Sequence, residues 1–208
     1  MSLFITFEGG EGSGKSTALK RLADRFTKEG QPVIVTREPG GTPIAESIRN
    51  VILDKGNTKM DARTEALLYA ASRRQHLVEK VWPALKEGKL VLCDRYLDSS
   101  LAYQGGARGL GIDNVLNINL FATEGTYPDL TLLFDIEPRL GLQRIEANKG
   151  REVNRLDLEA ISFHEGVRKT FHELAKRYPE RYVVIDASKS IEEVEEAAYQ
   201  AIRERLNK

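Results

Sequence analysis

Gly9-Gly-Glu-Gly-Ser-Gly14-Lys15-Ser16 fits the pattern G-x-x-x-x-G-K-[ST] and stands just after the apolar run Leu3–Phe7. Beyond it, Leu19, Leu22, Ala23 and Phe26 form one stripe at helical spacing, with Gly30 as a plausible stop. A glycine-rich turn between a buried strand and an amphipathic helix can curl so that successive backbone N–H groups face phosphate oxygens. The helix N-terminus adds a favourable dipole. Gly9, Gly10, Glu11, Gly12, Ser13, Gly14, Lys15, Ser16 and Thr17 are therefore the candidate phosphate cradle. Lys15 would reach the β- and γ-phosphates as a point charge, and the Ser16 hydroxyl would ligate Mg2+.

Four further apolar segments, Val33–Thr36, Leu90–Cys93, Leu130–Phe134 and Tyr182–Ile185, resemble Leu3–Phe7 in length and continuity. Parallel strands covered on both faces need such runs. Helical patterns separate them. Ile44, Ile48, Val51 and Ile52 follow a Thr42-Pro43 start, and Ser190 with Glu193 forms a capping box before Ile191, Val194, Ala198 and Ile202. This alternation predicts an α/β three-layer sandwich, a five-stranded parallel sheet flanked by helices, with ligands at the strands' carboxyl ends.

The chain has 208 residues, 41% hydrophobic and 30% charged, which suits one domain, or one domain with a small mobile part. Thirty-one Lys and Arg balance thirty-one Asp and Glu, so net charge gives no general pull toward nucleic acid or membrane. The N-terminus lacks a basic leader region, and no window approaches the length of a membrane span. The single Cys93 fits a reducing compartment and reads as a core thiol. Together these features predict a cytoplasmic protein.

Three stretches near the strand ends are candidates for a second substrate. Thr36-Arg-Glu-Pro-Gly-Gly-Thr42 follows the second strand, and Cys93–Gln104 follows the third. Glu65–His76 lies in a helical pattern. On a helix, Tyr69 and Arg73 share a face, as do Ser100 and Gln104. A flat aromatic beside a forked donor suits a nucleobase, and the Gln104 amide offers both donor and acceptor to a pyrimidine edge. Core filling by Tyr69 and a surface role for Arg73 fit the same spacing. Asp94 ends a buried strand, a position that can hold Mg2+. Arg95 beside it can neutralise charge on a transferring phosphoryl group.

Taken together, FEGGEGSGKST, TREPGGT, EALLYAASRRQH, DRYLDSSLAYQGGARGLG, YPDLT and NRLD resemble the bacterial thymidylate kinase family, collinearly and over nearly the whole chain. The resemblance implies a nucleoside monophosphate kinase-like fold that moves the γ-phosphate of ATP to dTMP with Mg2+ held near Ser16 and Asp94. It implies that Tyr69 stacks on thymine, that Arg73, Ser100 and Gln104 bind the base, and that Tyr103 packs against the sugar. Arg49 and Arg95 would hold the dTMP phosphate. Glu38 would line that site, and Glu11 would approach the 3′-hydroxyl. It also implies a homodimer, for which the helices containing Leu67 or Leu116 are candidates.

The loop has no basic residue before Lys15, whereas the polar stretch Arg144–Asp157 carries Arg144, Lys149, Arg151 and Arg155. That pattern resembles family members whose lid, here about 141–157, supplies the catalytic cation. The catalytic set is thus Lys15, Asp94 and Arg95 with Arg151 and Arg155 from the lid. The Asp186-Ala-Ser188 loop is a candidate for the adenine site. A kinase acting on dUMP or UMP and a P-loop ATPase switch are the alternatives.

Overall fold

The computed structural model of the protein describes residues 2–147 and 155–207. Its five strands are β1 (Leu3–Glu8), β2 (Val33–Arg37), β3 (Leu90–Asp94), β4 (Leu130–Asp135) and β5 (Tyr182–Asp186). All pairings are parallel, in the order β2-β3-β1-β4-β5, as the alternation predicts. Every strand runs one residue past its apolar stretch, into Glu8, Arg37, Asp94, Asp135 or Asp186. Apolar continuity reports burial, whereas backbone pairing continues into the first charged residue. The sheet therefore carries a row of charged side chains along its carboxyl edge.

On one face, α1 (Lys15–Lys28) and α9 (Ile191–Leu206) cover the sheet, with Leu22, Phe26, Ala198 and Ile202 packed on Ile5, Phe7, Leu132 and Phe134. On the other, Phe4, Val91, Cys93 and Leu133 meet Leu101, Val115, Val167 and Phe171. Helices on that side are α2 (Pro43–Leu53), α3 (Ala62–His76), α4 (Trp82–Lys86), α5 (Leu97–Ser100), α6 (Ile112–Thr123) and α8 (Ile161–Arg177). The helix α7 (Pro138–Ala147) follows β4. Burial raises the Cys93 thiol far above its ordinary range, in keeping with a core residue.

Local signals behave as the sequence predicts at most ends. Ser190 and Glu193 form the reciprocal capping box, and Gly30 takes φ +84° just past α1. Thr42 is the N-cap of α2 but makes no side-chain capping bond, and its buried Oγ1 has no partner. The helix starting at α5 widens into a π-helical turn over Leu101–Ala107, the segment that bears Tyr103 and Gln104. Such widenings re-aim side chains and recur at functional sites.

Candidate active site

A cavity of about 540 Å³ opens at the carboxyl edge of the sheet. Its floor is the loop before α1. Gly12 sits there at φ +68°, and a Cβ at this position would lie 2.0 Å from the carbonyl oxygen of Gly141. Only a glycine lets the loop run flush against α7. Lys15 is buried and donates to the Gly10 carbonyl at 2.7 Å and to Ser13 Oγ at 3.1 Å. Burial, with the positive charge of Arg95, lowers its ammonium to about 8. Bound phosphate would supply the negative charge that restores it. Ser16 Oγ lies 2.5 Å from Asp94 Oδ2. These are hard oxygen donors at the phosphate end, a set that suits Mg2+.

Arg95 stands at the centre. Its guanidinium donates to Gly9 O at 3.0 Å, Ser99 Oγ at 3.3 Å and Glu11 Oε1 at 2.6 Å. The Tyr103 hydroxyl donates to the same Glu11 oxygen at 3.0 Å, and burial keeps that phenol neutral by raising it well above its usual range. Behind Arg95, the fully buried Glu8 accepts from the Tyr96 amide at 2.7 Å and from Ser99 Oγ at 2.5 Å. Burial, then the nearby charge of Asp98, pushes Glu8 up to about 7.

The far end of the cavity is formed by Tyr69, Arg73, Ser100 and Gln104. Arg73 is 1% exposed, so it is neither a surface cation nor free to swing. Its Nε donates to Glu38 Oε2 at 2.8 Å, and its Nη1 donates to Ser100 Oγ at 3.1 Å and to Asn119 Oδ1. Nη2 is the end not engaged in these bonds. Glu38 also meets His76 Nδ1 at 2.9 Å. Arg49 lines the cavity and donates to the Pro39 carbonyl at 2.9 Å. One space thus brings together Glu11–Thr17, Glu38, Arg49, Tyr69, Arg73, Asp94, Arg95, Ser100, Tyr103 and Gln104. Gly9 and Gly10 contribute their carbonyls from behind.

The lid candidates fare differently. Arg151 and Lys149 lie outside the described residues. Arg155 is 6% exposed and does not line the cavity, donating instead to Ile52 O at 3.1 Å and to Glu65 Oε2. Its structural setting is a buried ion pair, because Glu65 would otherwise be a buried carboxylate short of positive charge. Arg144 does line the cavity, and it donates to Ala187 O at 2.8 Å and Ser188 O at 3.3 Å in the loop after β5. Sequence spacing did not single out Ser99, Glu8, Asn119 or Glu65. The available signals were an acid closing β1 just before the glycines and polar residues at helix positions facing the core.

A thymidylate kinase family model matches residues 7–198. The chain is 62% identical to the thymidylate kinase of Bacillus velezensis, covering 99% of this chain and 97% of that one. It is 57% identical to that of Halalkalibacterium halodurans, covering 98% and 97%. The crystal structure of a thymidylate kinase from Ehrlichia chaffeensis superposes with a TM-score of 0.78 at 32% identity, over 97% of this chain and 98% of that chain. With the phosphate loop, the sheet order and the full-length matches in agreement, this chain belongs to the thymidylate kinase family of phosphotransferases.

Proposed function

We propose that the chain transfers the γ-phosphate of ATP to the 5′-phosphate of dTMP, giving dTDP and ADP. The observation that carries this is the union, in one cavity, of the Lys15–Ser16 phosphate loop with the Tyr69/Arg73/Ser100/Gln104 set. A phosphate oxygen of dTMP attacks the γ-phosphorus while the bond to the ADP oxygen breaks. Positioning and fixed charge supply most of the rate. Lys15 and the loop amides hold the donor phosphates. Arg95 and Arg49 hold the acceptor phosphate, and the Arg95 guanidinium follows charge onto the transferring group. Ser16 and Asp94 are suited to hold the Mg2+ that accompanies ATP and neutralises its phosphate charge. Arg144, which donates to Ala187 O and Ser188 O, would stack on adenine, and Arg151, which lies outside the described residues, would supply the lid's cation.

At the acceptor end, Tyr69 stacks on the base and Arg73 Nη2 donates to its carbonyl edge. Tyr103, held by Glu11, packs against the sugar where a 2′-hydroxyl would crowd it. The test is ADP release with dTMP, dUMP and TMP bearing a 2′-hydroxyl. Turnover should require a monophosphate and be highest with dTMP. ADP release that ignores added monophosphate would favour an ATPase switch instead.

A homodimer in the cytoplasm completes the proposal. The helices α2, α3 and α6 pack side by side and expose Val51, Leu67 and Phe121, the last at 90%. An apolar surface of this kind is expected to be covered. Leu116 instead packs beside the core, so Leu67 and Phe121 mark the interface better. Phe121→Glu should convert the dimer to a monomer in sedimentation experiments, and an unchanged mass would place the interface elsewhere. Among the described residues, no helix is long and apolar enough to cross a membrane.

A further inference from the structure

Glu65 sits one helical turn before Tyr69, is 1% exposed and does not itself line the cavity. Its Oε1 accepts from Gln104 Nε2 at 2.8 Å and from Arg108 Nε at 3.3 Å. Its Oε2 accepts from Arg108 Nη2 at 3.4 Å and from Arg155 Nη2. Burial alone would raise this carboxyl, but the bonds from Arg155 and Gln104 and the charge of Arg108 hold it below the ordinary value. Glu65 is therefore an ionised group that only accepts hydrogen bonds.

That fact fixes the sense of the Gln104 amide. Only its nitrogen end can face a carboxylate. A flipped amide would set carbonyl lone pairs against carboxylate lone pairs and leave a buried bond unmade. Gln104 is 1% exposed and borders the base end of the cavity, so water offers no relief. We propose that Glu65 is a positioning residue that locks the Gln104 amide in one sense, so that the site accepts pyrimidine monophosphates bearing N3–H and rejects those whose N3 is a bare acceptor.

The proposal rests on the assignment of Gln104 as a base contact. Thymine and uracil carry N3–H between two carbonyls. Cytosine carries a lone pair at N3 beside an amino group. A locked amide offers its oxygen to N3–H, and the same oxygen repels the cytosine N3. A buried polar group that the wrong substrate leaves unpaired discriminates far more strongly than a missing methyl does. Arg108 and Arg155 keep Glu65 charged.

The test compares kcat/KM for dTMP and dCMP in the full-length parent, Glu65→Gln, Glu65→Asp and Gln104→Ala. A glutamine at 65 can donate as well as accept, which frees Gln104 to turn over. The dTMP-to-dCMP preference should then fall by at least about tenfold. Loosened packing alone would lower both substrates together. Glu65→Asp keeps the charge against both arginines but withdraws the oxygen from Gln104, and the preference should fall by about threefold or more. It also serves if Glu65→Gln does not fold. An unchanged preference in either soluble variant overturns the proposal. If Gln104→Ala shifts the preference while the Glu65 variants do not, the base contact stands and the lock fails. If Gln104→Ala changes neither the preference nor the KM for dTMP, the base contact itself is wrong. In the parent, one Gln104 side-chain amide proton should exchange slowly with deuterium, and fast exchange of both would also count against the lock.

Discussion

Arg95→Ala should lower kcat/KM for dTMP by at least about 10³-fold, read as ADP release at saturating ATP. The size follows from how completely the guanidinium is aimed before substrate arrives. Arg95 is one of two non-glycine residues with positive φ, at +68°, among the described residues. A left-handed backbone at such a residue costs about 1–3 kcal/mol and persists only when its surroundings hold it. Here the Arg95 amide donates to Phe7 O at 3.0 Å and the following Tyr96 amide to Glu8 at 2.7 Å. The end of β1 thus clamps the turn from both sides, while Gly9, Ser99 and Glu11 fix the fork. Charge held this way needs no reorganisation when the transition state forms. Arg95→Lys should recover little, because a point charge cannot reproduce the fork. A loss smaller than tenfold in Arg95→Ala would remove Arg95 from the catalytic set.

The same residue marks where sequence alone runs out. The fold was legible because five buried strands need near-continuous apolar runs and the loop before Lys15 needs glycines. Both constraints act locally. Leu3–Glu8 and Leu90–Asp94 could therefore be read to within a residue. That Asp94, Arg95, Tyr69 and Arg73 line the candidate site was legible for a related reason: they stand at strand ends or share helix faces. What holds those side chains was not legible. Glu8 and Ser99 are 91 residues apart, Glu38 and Arg73 are 35 apart, and Glu65 and Arg155 are 90 apart. No periodicity connects such partners, because tertiary packing alone brings them together. Arg155 illustrates the cost. Its charge and its place in the polar stretch Arg144–Asp157 suggest a lid cation, but a buried carboxylate on α3 claims it.

Asp98→Ala should destabilise the fold by about 3–5 kcal/mol, through a pair that does not line the cavity. Asp98 is fully buried at the start of the helix that carries Ser100. Arg181, just before β5, donates to its two oxygens at 2.5 and 2.7 Å, with Thr131 adding a bond at 3.1 Å. Tyr178 and Tyr182 lie 4.8 and 4.9 Å from the Arg181 guanidinium, which excludes water from the cation. Removing Asp98 leaves that cation buried and unpaired, and this penalty exceeds what the pair itself contributes. For a chain of this size, each kcal/mol moves Tm by roughly 2–4 °C, so a drop of about 6–20 °C is expected by calorimetry. The mechanism makes a sharper demand. If the unpaired charge is the cause, Asp98→Leu combined with Arg181→Met should be more stable than Asp98→Ala alone, because the double variant buries no charge. A double variant no more stable than Asp98→Ala would mean that Asp98 acts through its bond to Thr131, or through the packing of its helix against β4, and not through Arg181.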